Sequence, residues 1–296
     1  MLTLPADGLP IVNRCKDLAS KWEYLAAHEA LRRAPLRTMG RLLAWRARCA
    51  VRRPAIAHLQ RWDVDMHLPA NWRGVEKLIF AFREHYEPEL GYLQKILSPG
   101  MTFVDAGACY GIYTLAASKI VGKEGRVLSF EPASRAFPVL QKNIGLNHLT
   151  NVLAYRLALT DRKGKAWLYH HPNVGCDSLG RDYSFTESGE EIATETLDAM
   201  LRDASINHVD VIKMDVQGAE ELVLRGANAI IHSQHPVIIF EVYPEGPPAL
   251  GLSPFGAWDF LQSLGYEFFV VDRSQSLQRE TTPPNGNAIA IYRKYS

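Results

Sequence analysis

The sequence lacks several features that would place it in a specialised class of protein. Its four cysteines lie far apart with no C-x-x-C pair, which argues against a disulfide framework and against a zinc site. No uncharged apolar run approaches the roughly 18 to 20 residues of a membrane span. The 33 lysines and arginines balance 32 acidic residues, so no overall charge draws the chain to nucleic acid. The separated cysteines indicate reduced thiols and Met1 to Pro10 does not read as a secretory signal, so we expect a cytoplasmic protein.

Acidic residues are also missing between Ala30 and Trp62. This stretch contains apolar residues at rough helical spacing, and Pro35 and Pro54 interrupt the pattern. It holds nine arginines: Arg32, Arg33, Arg37, Arg41, Arg46, Arg48, Arg52, Arg53 and Arg61. Three interpretations remain open: a helix packed on the rest of the chain or on another subunit, a contact with an anionic membrane surface or polyanion, and a site for a phosphate-bearing acceptor.

The composition suits a large hydrophobic core, and the patterns divide the chain into two regions. Of the 296 residues, 47% are hydrophobic, which is enough for one large domain or two modest ones. Helical and turn patterns fill the first part of the chain, up to the helix breaker Ser98-Pro99-Gly100. We therefore predict a helical, arginine-rich N-terminal extension over residues 1–95 and a second domain over residues 96–296.

From Met101 onward, apolar runs alternate with helical patterns. Strands are predicted at 102–105, 126–130, 152–159, 209–214, 236–242, 266–272 and 288–293, and helices at 111–121, 134–147, 194–204, 219–231 and 254–264. Such alternation favours an α/β fold with a doubly wound, mostly parallel sheet and helices on both faces. The last two strands have no helix between them, so we expect them to pair as a hairpin and to add one reversed strand to a seven-stranded sheet.

One β-α-β unit of this pattern indicates a ligand. A hydrophobic strand from Phe103 runs into a glycine-bearing turn and an apolar helix, and the next strand ends on Glu131. Gly107 and Gly111 let the backbone approach a ligand closely, and a carboxylate at Glu131 can accept both hydroxyls of a ribose. The unit predicts a nucleoside-type cofactor, although the same residues could simply shape a tight turn and a solvated strand end.

The turn favours a methyl donor over a dinucleotide. A dinucleotide fingerprint has three glycines beside a pyrophosphate, whereas the middle position here is Ala108 or Cys109. S-adenosylmethionine carries an ammonium, a sulfonium and a ribose, which the carboxylates of Asp105 and Glu131 match in charge. Two alternatives stay open: an oxidoreductase that depends on NAD or a nucleotide sugar, and a non-catalytic membrane- or polyanion-binding module.

Two more carboxylates are predicted to reach the same edge of the sheet. Asp215 follows the apolar strand that begins at Val209, and Glu241 lies near the end of the strand that begins at Val237. Open α/β sheets bind ligands above the carboxyl ends of their strands, so both residues are candidates for orienting an acceptor or taking its proton. The alternative for Glu241 is a salt bridge with Lys213 or an arginine, because a buried carboxylate needs a partner.

These segments resemble the FkbM family of S-adenosylmethionine-dependent methyltransferases. The motifs that carry the resemblance are Asp105-x-Gly107-Ala108-x-x-Gly111, Phe130-Glu131-Pro132, Asn143-x-x-x-Asn147, Ile212-Lys213-Met214-Asp215-Val216-x-Gly218-Ala219-Glu220 and Phe240-Glu241-Val242. They cover roughly residues 85–245, and the block around Asp215 is the most specific. The resemblance implies a class I, Rossmann-like methyltransferase fold and O-methylation of a hydroxyl on a sugar, a glycan or a small natural product.

The resemblance also implies a set of site residues. The expected cofactor-binding residues are Asp105, Gly107, Ala108, Gly111, Glu131 and Asp215, with Asp215 close to the transferred methyl group. The family usually has Glu where this chain has Gln217, so one potential anionic ligand is missing and we predict no metal site. It commonly has Asn where this chain has Cys109, whose side chain forms weaker hydrogen bonds.

A hydroxyl acceptor needs a group that takes its proton. The candidates are Asp215, then Glu241, then the His170-His171 pair. The histidines fall in a predicted loop, where simple solvation is the alternative. The segment from Val174 to Glu190 has the polar, glycine-bearing character of a mobile loop, and we predict that it covers the acceptor.

Overall fold

A computed structural model describes residues 28–72, 74–181, 188–272 and 274–293. The helices are α1 (Glu29–Arg33), α2 (Pro35–Ala50), α3 (Val75–Phe82), α4 (Pro88–Ile96), α5 (Ile112–Val121), α6 (Phe137–Leu146), α7 (Leu197–Asp203), α8 (Glu220–Gly226), α9 (Asn228–Gln234) and α10 (Gly256–Ser263). The strands are β1 (Ala55–Leu59), β2 (Val64–Leu68), β3 (Thr102–Ala106), β4 (Arg126–Phe130), β5 (Val152–Tyr155), β6 (Ala158–Leu159), β7 (Gly164–Tyr169), β8 (Gly189–Glu195), β9 (Val211–Met214), β10 (Val237–Val242), β11 (Tyr266–Val271), β12 (Leu277–Glu280) and β13 (Gly286–Tyr292).

The central sheet has the strand order β12-β11-β13-β10-β9-β3-β4-β5. The five strands from β10 to β5 are parallel to one another, and β13 runs antiparallel to both of its neighbours. The predicted doubly wound, mostly parallel sheet and the predicted pairing of the last two strands are confirmed. The sheet has eight strands rather than seven, because residues 277–280, in the link predicted from Ser274 to Asn287, pair with β11 as an edge strand.

Two other predicted elements differ from the structure, and one sheet was not predicted. The predicted strand at 152–159 divides into β5 and β6 at Arg156-Leu157, and the predicted helix at 219–231 divides into α8 and α9. A second, three-stranded sheet of order β6-β8-β7 occupies residues between β5 and α7. The polar composition of β7 and β8 hid these strands, since most of their side chains are exposed or only partly buried.

The two faces of the central sheet are covered by different parts of the chain. Along β3, Phe103 belongs to one hydrophobic core and Val104 to the other, as the two-residue period of a strand requires. Residues of β1, β2, α3, α4 and α5 complete the first core, and residues of α7 to α10 complete the second. Asp105 and Lys213 are opposite each other in the β3–β9 register, on the first face. This face therefore brings the N-terminal region next to the predicted site.

The N-terminal region is not purely helical, so that part of the prediction was wrong. Residues 55–68 form the antiparallel hairpin β1–β2, in which alternate side chains are buried. The short alternation was masked by Pro54 and by the surrounding arginines. The hairpin shares one core with the sheet, and the division at residue 95 stays a prediction. Residues 1–27 of the predicted extension lie outside the described residues.

The Asn143-x-x-x-Asn147 motif docks the hairpin on α6. The side-chain amide of Asn147 exchanges two hydrogen bonds with the backbone of Asp65, both 2.7 Å long. The amide of Asn143 accepts from the backbone N–H of His67 at 2.7 Å and donates to the backbone carbonyls of His67 at 3.2 Å and Tyr110 at 2.9 Å. These amides supply the hydrogen bonds that a neighbouring strand would make, and they join β2 to the loop after β3.

Candidate active site

The loop after β3 is held by its neighbours on two strands. The N–H groups of Gly107 and Ala108 donate to the carbonyl of Phe130 at 2.9 and 3.0 Å. Gly107 has φ +76°, and a Cβ atom there would lie 2.0 Å from the carbonyl oxygen of Asp215. Gly111, at φ +89°, begins α5 in the left-handed region and packs against α6. Only glycine fits at position 107 without displacing the end of β9.

Glu131 forms the floor of a cavity at the end of β4. Its side-chain oxygens accept from the N–H groups of Cys109 and Ala133, both at 2.8 Å. Burial raises the pKa of Glu131 to about 7, against the lowering effect of these two hydrogen bonds. Each carboxylate oxygen has two lone pairs and so can accept a second hydrogen bond from a ligand.

The cavity above Glu131, called the first cavity, measures about 620 Å³ and lies where open α/β sheets bind ligands. Its lining is largely apolar and comes mainly from the loops that follow β3, β4, β5, β7 and β9, with further residues from β6 and β7. The lining residues are Gly107, Cys109, Phe130, Glu131, Pro132, Ala133, Ala136, Leu157, Ala158, Leu159, Leu168, Gly175, Asp177, Leu179, Asp215, Val216 and Ala219. Of the predicted cofactor-binding residues, Gly107, Glu131 and Asp215 therefore meet here.

Asp105 lies beneath this surface and lines neither this cavity nor the second one, described below. Its carboxylate is fully buried and accepts a hydrogen bond from the Thr114 hydroxyl at 2.6 Å. Its other oxygen lies 3.6 Å from the Nζ atom of Lys213. Burial acts to lower the pKa of Lys213, but Asp105 and Asp215 outweigh burial and raise it. The buried pair joins β3 to β9, and the predicted contact between Asp105 and the cofactor stays a prediction.

Asp215 stands at the tip of β9 with its side chain partly exposed. The amide nitrogen of Gln217 donates to Asp215 Oδ1 at 2.6 Å and to Glu241 Oε2 at 2.8 Å. One amide thus joins the two predicted catalytic carboxylates. Glu241 lines a separate cleft of about 300 Å³ beside Tyr243 and Phe255, so Asp215 and Glu241 belong to adjoining spaces.

The two positions that depart from the family pattern share an unusual backbone conformation. Cys109 has φ +49° and Gln217 has φ +53°, both in the left-handed region that asparagine tolerates better than most residues. Cys109 contributes its backbone N–H to Glu131, while burial raises the pKa of its thiol well above the usual range. The site therefore uses the backbone of Cys109 as a donor and the side chain of Gln217 as a bridge.

A second cavity of about 430 Å³ adjoins the first and shares Gly107, Cys109, Gly175 and Asp215 with it. Ala108 lines it, as do Glu87 and Lys213, which bear opposite charges. The Tyr113 hydroxyl donates to Glu87 Oε2 at 2.6 Å, and burial, followed by the charge of Asp215, raises the pKa of Glu87. The sequence prediction missed Glu87 because it lies in the predicted extension, outside every motif that we recognised.

The loop that follows β7 is anchored over both cavities. Arg135 forms an ion pair with Asp177 and donates to the carbonyl of His171 at 2.8 Å. The Ser178 hydroxyl donates to the carbonyl of Gln217 at 2.8 Å. Gly175 lines both cavities, so the described part of the predicted covering loop lies over the site. Residues 182–187 of that loop lie outside the described residues.

The His170-His171 pair belongs to this anchoring network. His170 Nδ1 lies 3.3 Å from Asp177 Oδ2, and His171 Nδ1 accepts from the backbone N–H of Asn173 at 3.0 Å. Neither histidine lines the first or the second cavity. Over the described ranges, no three His, Cys, Asp or Glu side chains are arranged to hold a metal ion. Independence from metal stays a prediction.

Comparison with known proteins identifies the family to which this chain belongs. A model of the methyltransferase FkbM domain matches residues 105–268, more than half of the chain. Methyltransferase sdnD of Sordaria araneosa is 28% identical over 181 residues, covering 51% of this chain and 68% of that protein. Methyltransferase 1 of Beauveria bassiana is 28% identical over 142 residues, covering 42% and 57%.

Among solved structures, the chain is similar to methyltransferase FkbM from Methylobacillus flagellatus KT, with 15% identity and a TM-score of 0.42. The superposed part covers 74% of this chain and 54% of that one. The chain thus spans little more than half the length of this protein and of the Beauveria relative.

Proposed function

This chain belongs to the FkbM family of methyltransferases, and on that premise we propose that it methylates a hydroxyl group of a sugar, a glycan or a small natural product. The methyl donor is S-adenosylmethionine. This assignment leaves no role for NAD or a nucleotide sugar as the cofactor, and it makes the protein an enzyme rather than only a binding module.

The residues of the two cavities fit this cofactor. Glu131 accepts the ribose hydroxyls, and the apolar side chains of Leu157 and Val216 suit a flat base. Gly107 lines both cavities, and only glycine lets this loop pack against the Asp215 carbonyl, with which a Cβ atom would collide. Glu87 and Lys213, with opposite charges in the second cavity, match the ammonium and the carboxylate of an amino-acid end.

The bound cofactor supplies an electrophilic methyl group on a sulfonium, so the protein's main tasks are to position the acceptor and to take its proton. Holding reactants in line contributes several kcal/mol, about 7 to 11 at best. We propose that Asp215 accepts the hydroxyl proton, because its carboxylate lines both cavities. Gln217 holds Asp215 Oδ1 through its amide and thereby orients the carboxylate.

One observation supports an oxygen acceptor, namely the row of carboxylates from Asp215 through the Gln217 amide to Glu241. Carboxylates accept hydrogen bonds from hydroxyl groups, and two of them in a row suit a molecule with several hydroxyls. The aromatic side chains of Tyr243 and Phe255 line the cleft beside Glu241. Such rings give the apolar face of a sugar or a polyketide a surface to pack on.

The test of this proposal is methyl transfer from labelled S-adenosylmethionine to a panel of sugars, glycans and hydroxylated natural products. We expect a labelled methyl ether, recognised by its resistance to mild alkaline hydrolysis. Each candidate is paired with its deoxy analogue, which lacks the accepting oxygen and should remain unlabelled. A labelled amine or a base-labile methyl ester would contradict the proposed hydroxyl acceptor while leaving the methyltransferase assignment intact.

Cofactor affinity should depend on pH through Glu131. The ribose hydroxyls donate to the ionised carboxylate, and the pKa of Glu131 is about 7. The ionised fraction falls about tenfold from pH 8 to pH 6, so the affinity for S-adenosylhomocysteine should fall by about the same factor. Isothermal titration calorimetry over this range measures the change.

A matched control uses another buried acid. Burial likewise raises the pKa of Glu89 to about 7, but Glu89 lines neither cavity. Glu131→Gln should bind weakly at every pH and lose the dependence, whereas Glu89→Gln should keep it. An unchanged pH profile in Glu131→Gln would show that another group titrates.

A further inference from the structure

Helix α2 carries apolar side chains on two faces. One face packs on the protein, and the other is exposed to solvent. Its inner face carries the fully buried Trp45, whose indole N–H donates to the carbonyl of Asn71 at 3.0 Å. The outward face carries Leu36, which is 89% exposed, and Leu43, which is 66% exposed. Val51, which caps the helix, is 63% exposed. These three follow one another at spacings of seven and eight residues and so form one stripe along the helix.

Exposed apolar side chains are concentrated in this part of the chain. Of the ten large hydrophobic residues exposed among the described ones, six lie between positions 36 and 72. They are Leu36, Met39, Leu43, Val51, Ile56 and Trp72. Single exposed apolar residues are ordinary on protein surfaces, whereas a cluster marks a surface that contacts another apolar phase.

Arginines flank the apolar stripe. Eight of the nine arginines between Ala30 and Trp62 are exposed, and the segment itself contains no acidic residue. Arg33, near its start, pairs with Glu29 at 2.6 Å. Arg37 and Arg48 lie on one side of the stripe and Arg46 on the other, by helical position. An apolar stripe flanked by cations is the pattern of a helix that lies in the interface of an anionic bilayer.

Trp72 extends this surface toward the site. The residue is 44% exposed, and two cations lie near its ring, with Arg46 5.8 Å and Lys77 5.4 Å from the ring centre. Tryptophan is enriched at the boundary between lipid headgroups and acyl chains. Lys77 belongs to α3, whose residues Val75 and Ile79 line the second cavity, so the surface adjoins a wall of the site.

We propose that α2 and Trp72 dock the enzyme on the surface of an anionic phospholipid bilayer. A nucleic acid would satisfy the arginines but would leave Leu36, Leu43 and Val51 in water, so the apolar stripe favours lipid. Across the described residues, no helix is both long and apolar enough to span a membrane.

Flotation of the full-length protein with vesicles tests this docking. The two vesicle types are phosphatidylcholine alone and phosphatidylcholine with roughly 30% phosphatidylglycerol, a content chosen to give a negative surface potential. We expect binding to the anionic vesicles only. Leu36→Ser with Leu43→Ser, and separately Arg46→Gln with Arg48→Gln, should each lower the vesicle partition coefficient by at least about tenfold.

A control substitution tests whether vesicle binding depends on this surface or on any exposed apolar residue. Leu153→Ser changes a residue that is 39% exposed on the edge strand β5, and it should leave the partition coefficient unchanged. All three variants change exposed side chains, so their thermal unfolding midpoints should match that of the unsubstituted protein.

Three results would overturn the docking surface. The first is no binding to anionic vesicles, and the second is equal loss in the Leu153→Ser control. The third is binding that survives the leucine substitutions and is displaced by an oligonucleotide, which would identify a polyanion site. If Leu36 and Leu43 instead support a dimer and the protein binds no vesicles, this outcome also counts as the first result and overturns the docking surface. Because flotation does not depend on methyl transfer, its failure is distinguishable from failure of the proposed function.

Discussion

Replacing Asp215 by asparagine is expected to lower kcat by about 100- to 10,000-fold, the range that a positioned general base contributes. Asparagine has the same size as aspartate and keeps an oxygen that can accept the hydrogen bond from the Gln217 amide. In the unsubstituted protein this amide nitrogen lies 2.6 Å from Asp215 Oδ1. The backbone of residue 215, whose N–H donates to the Ala106 carbonyl at 3.1 Å, is unaffected. Affinity for S-adenosylhomocysteine should therefore stay within a few-fold of that of the unsubstituted enzyme.

The matched control is Glu241→Gln. This residue shares the Gln217 amide with Asp215 but lines only the separate cleft. We expect it to raise the KM for the acceptor more than it lowers kcat, because it would bind the acceptor without taking the proton. Steady-state kinetics for both variants and calorimetry with S-adenosylhomocysteine distinguish the roles. Unchanged turnover in Asp215→Asn would exclude Asp215 as an essential base.

Replacing Gly107 by alanine is expected to abolish measurable binding of S-adenosylhomocysteine. The new Cβ atom would lie 2.0 Å from the Asp215 carbonyl oxygen, which belongs to the backbone and cannot rotate away. The positive φ of +76° adds a cost of about 1 to 2 kcal/mol for any residue with a Cβ atom. The free energy of unfolding should fall by at least about 2 kcal/mol, since the ends of β3 and β9 must separate.

A second glycine provides the control for this prediction. Gly145 lies on α6, and a Cβ atom added there would meet no heavy atom within 4 Å. Gly145→Ala should be neutral or should stabilise the protein by up to about 1 kcal/mol, because alanine is the better helix former. Chemical denaturation and calorimetry on both variants check the pair. Binding by Gly107→Ala within threefold of the unsubstituted protein would show that cofactor binding does not depend on the packing of this loop against Asp215.

The sheet was predictable because its signals are local. The parallel strands are short apolar runs, and their alternation with helical patterns leaves few topologies open. The same local logic placed Glu131 and Asp215 at strand ends, where the structure brings them to one cavity. The hairpin β1–β2 and the sheet β6-β8-β7 escaped prediction because half-exposed strands lack a continuous apolar run.

The environment of each carboxylate was not predictable in this way. Asp105 lies within β3 and pairs with Lys213 below the cavity surface, whereas Glu131 follows the last residue of β4 and faces the cavity. The sheet register aligns Asp105 with Ser129 of β4, two residues before Glu131, and with Lys213 of β9. The spacing of residues within one strand does not reveal its register with a neighbouring strand, because the register depends on what packs against the two faces of the sheet.

By itself, the sequence determined the order of strands and helices, the glycine-bearing turn after β3 and the acids at the strand ends, because each depends on neighbouring residues. The tertiary structure alone decided which acids reach the ligand. It folds the N-terminal region over the first face of the sheet, which brings Glu87 to the second cavity. It also sets Gln217 between Asp215 and Glu241. These juxtapositions join residues far apart in the chain, and close packing of the two faces fixes them.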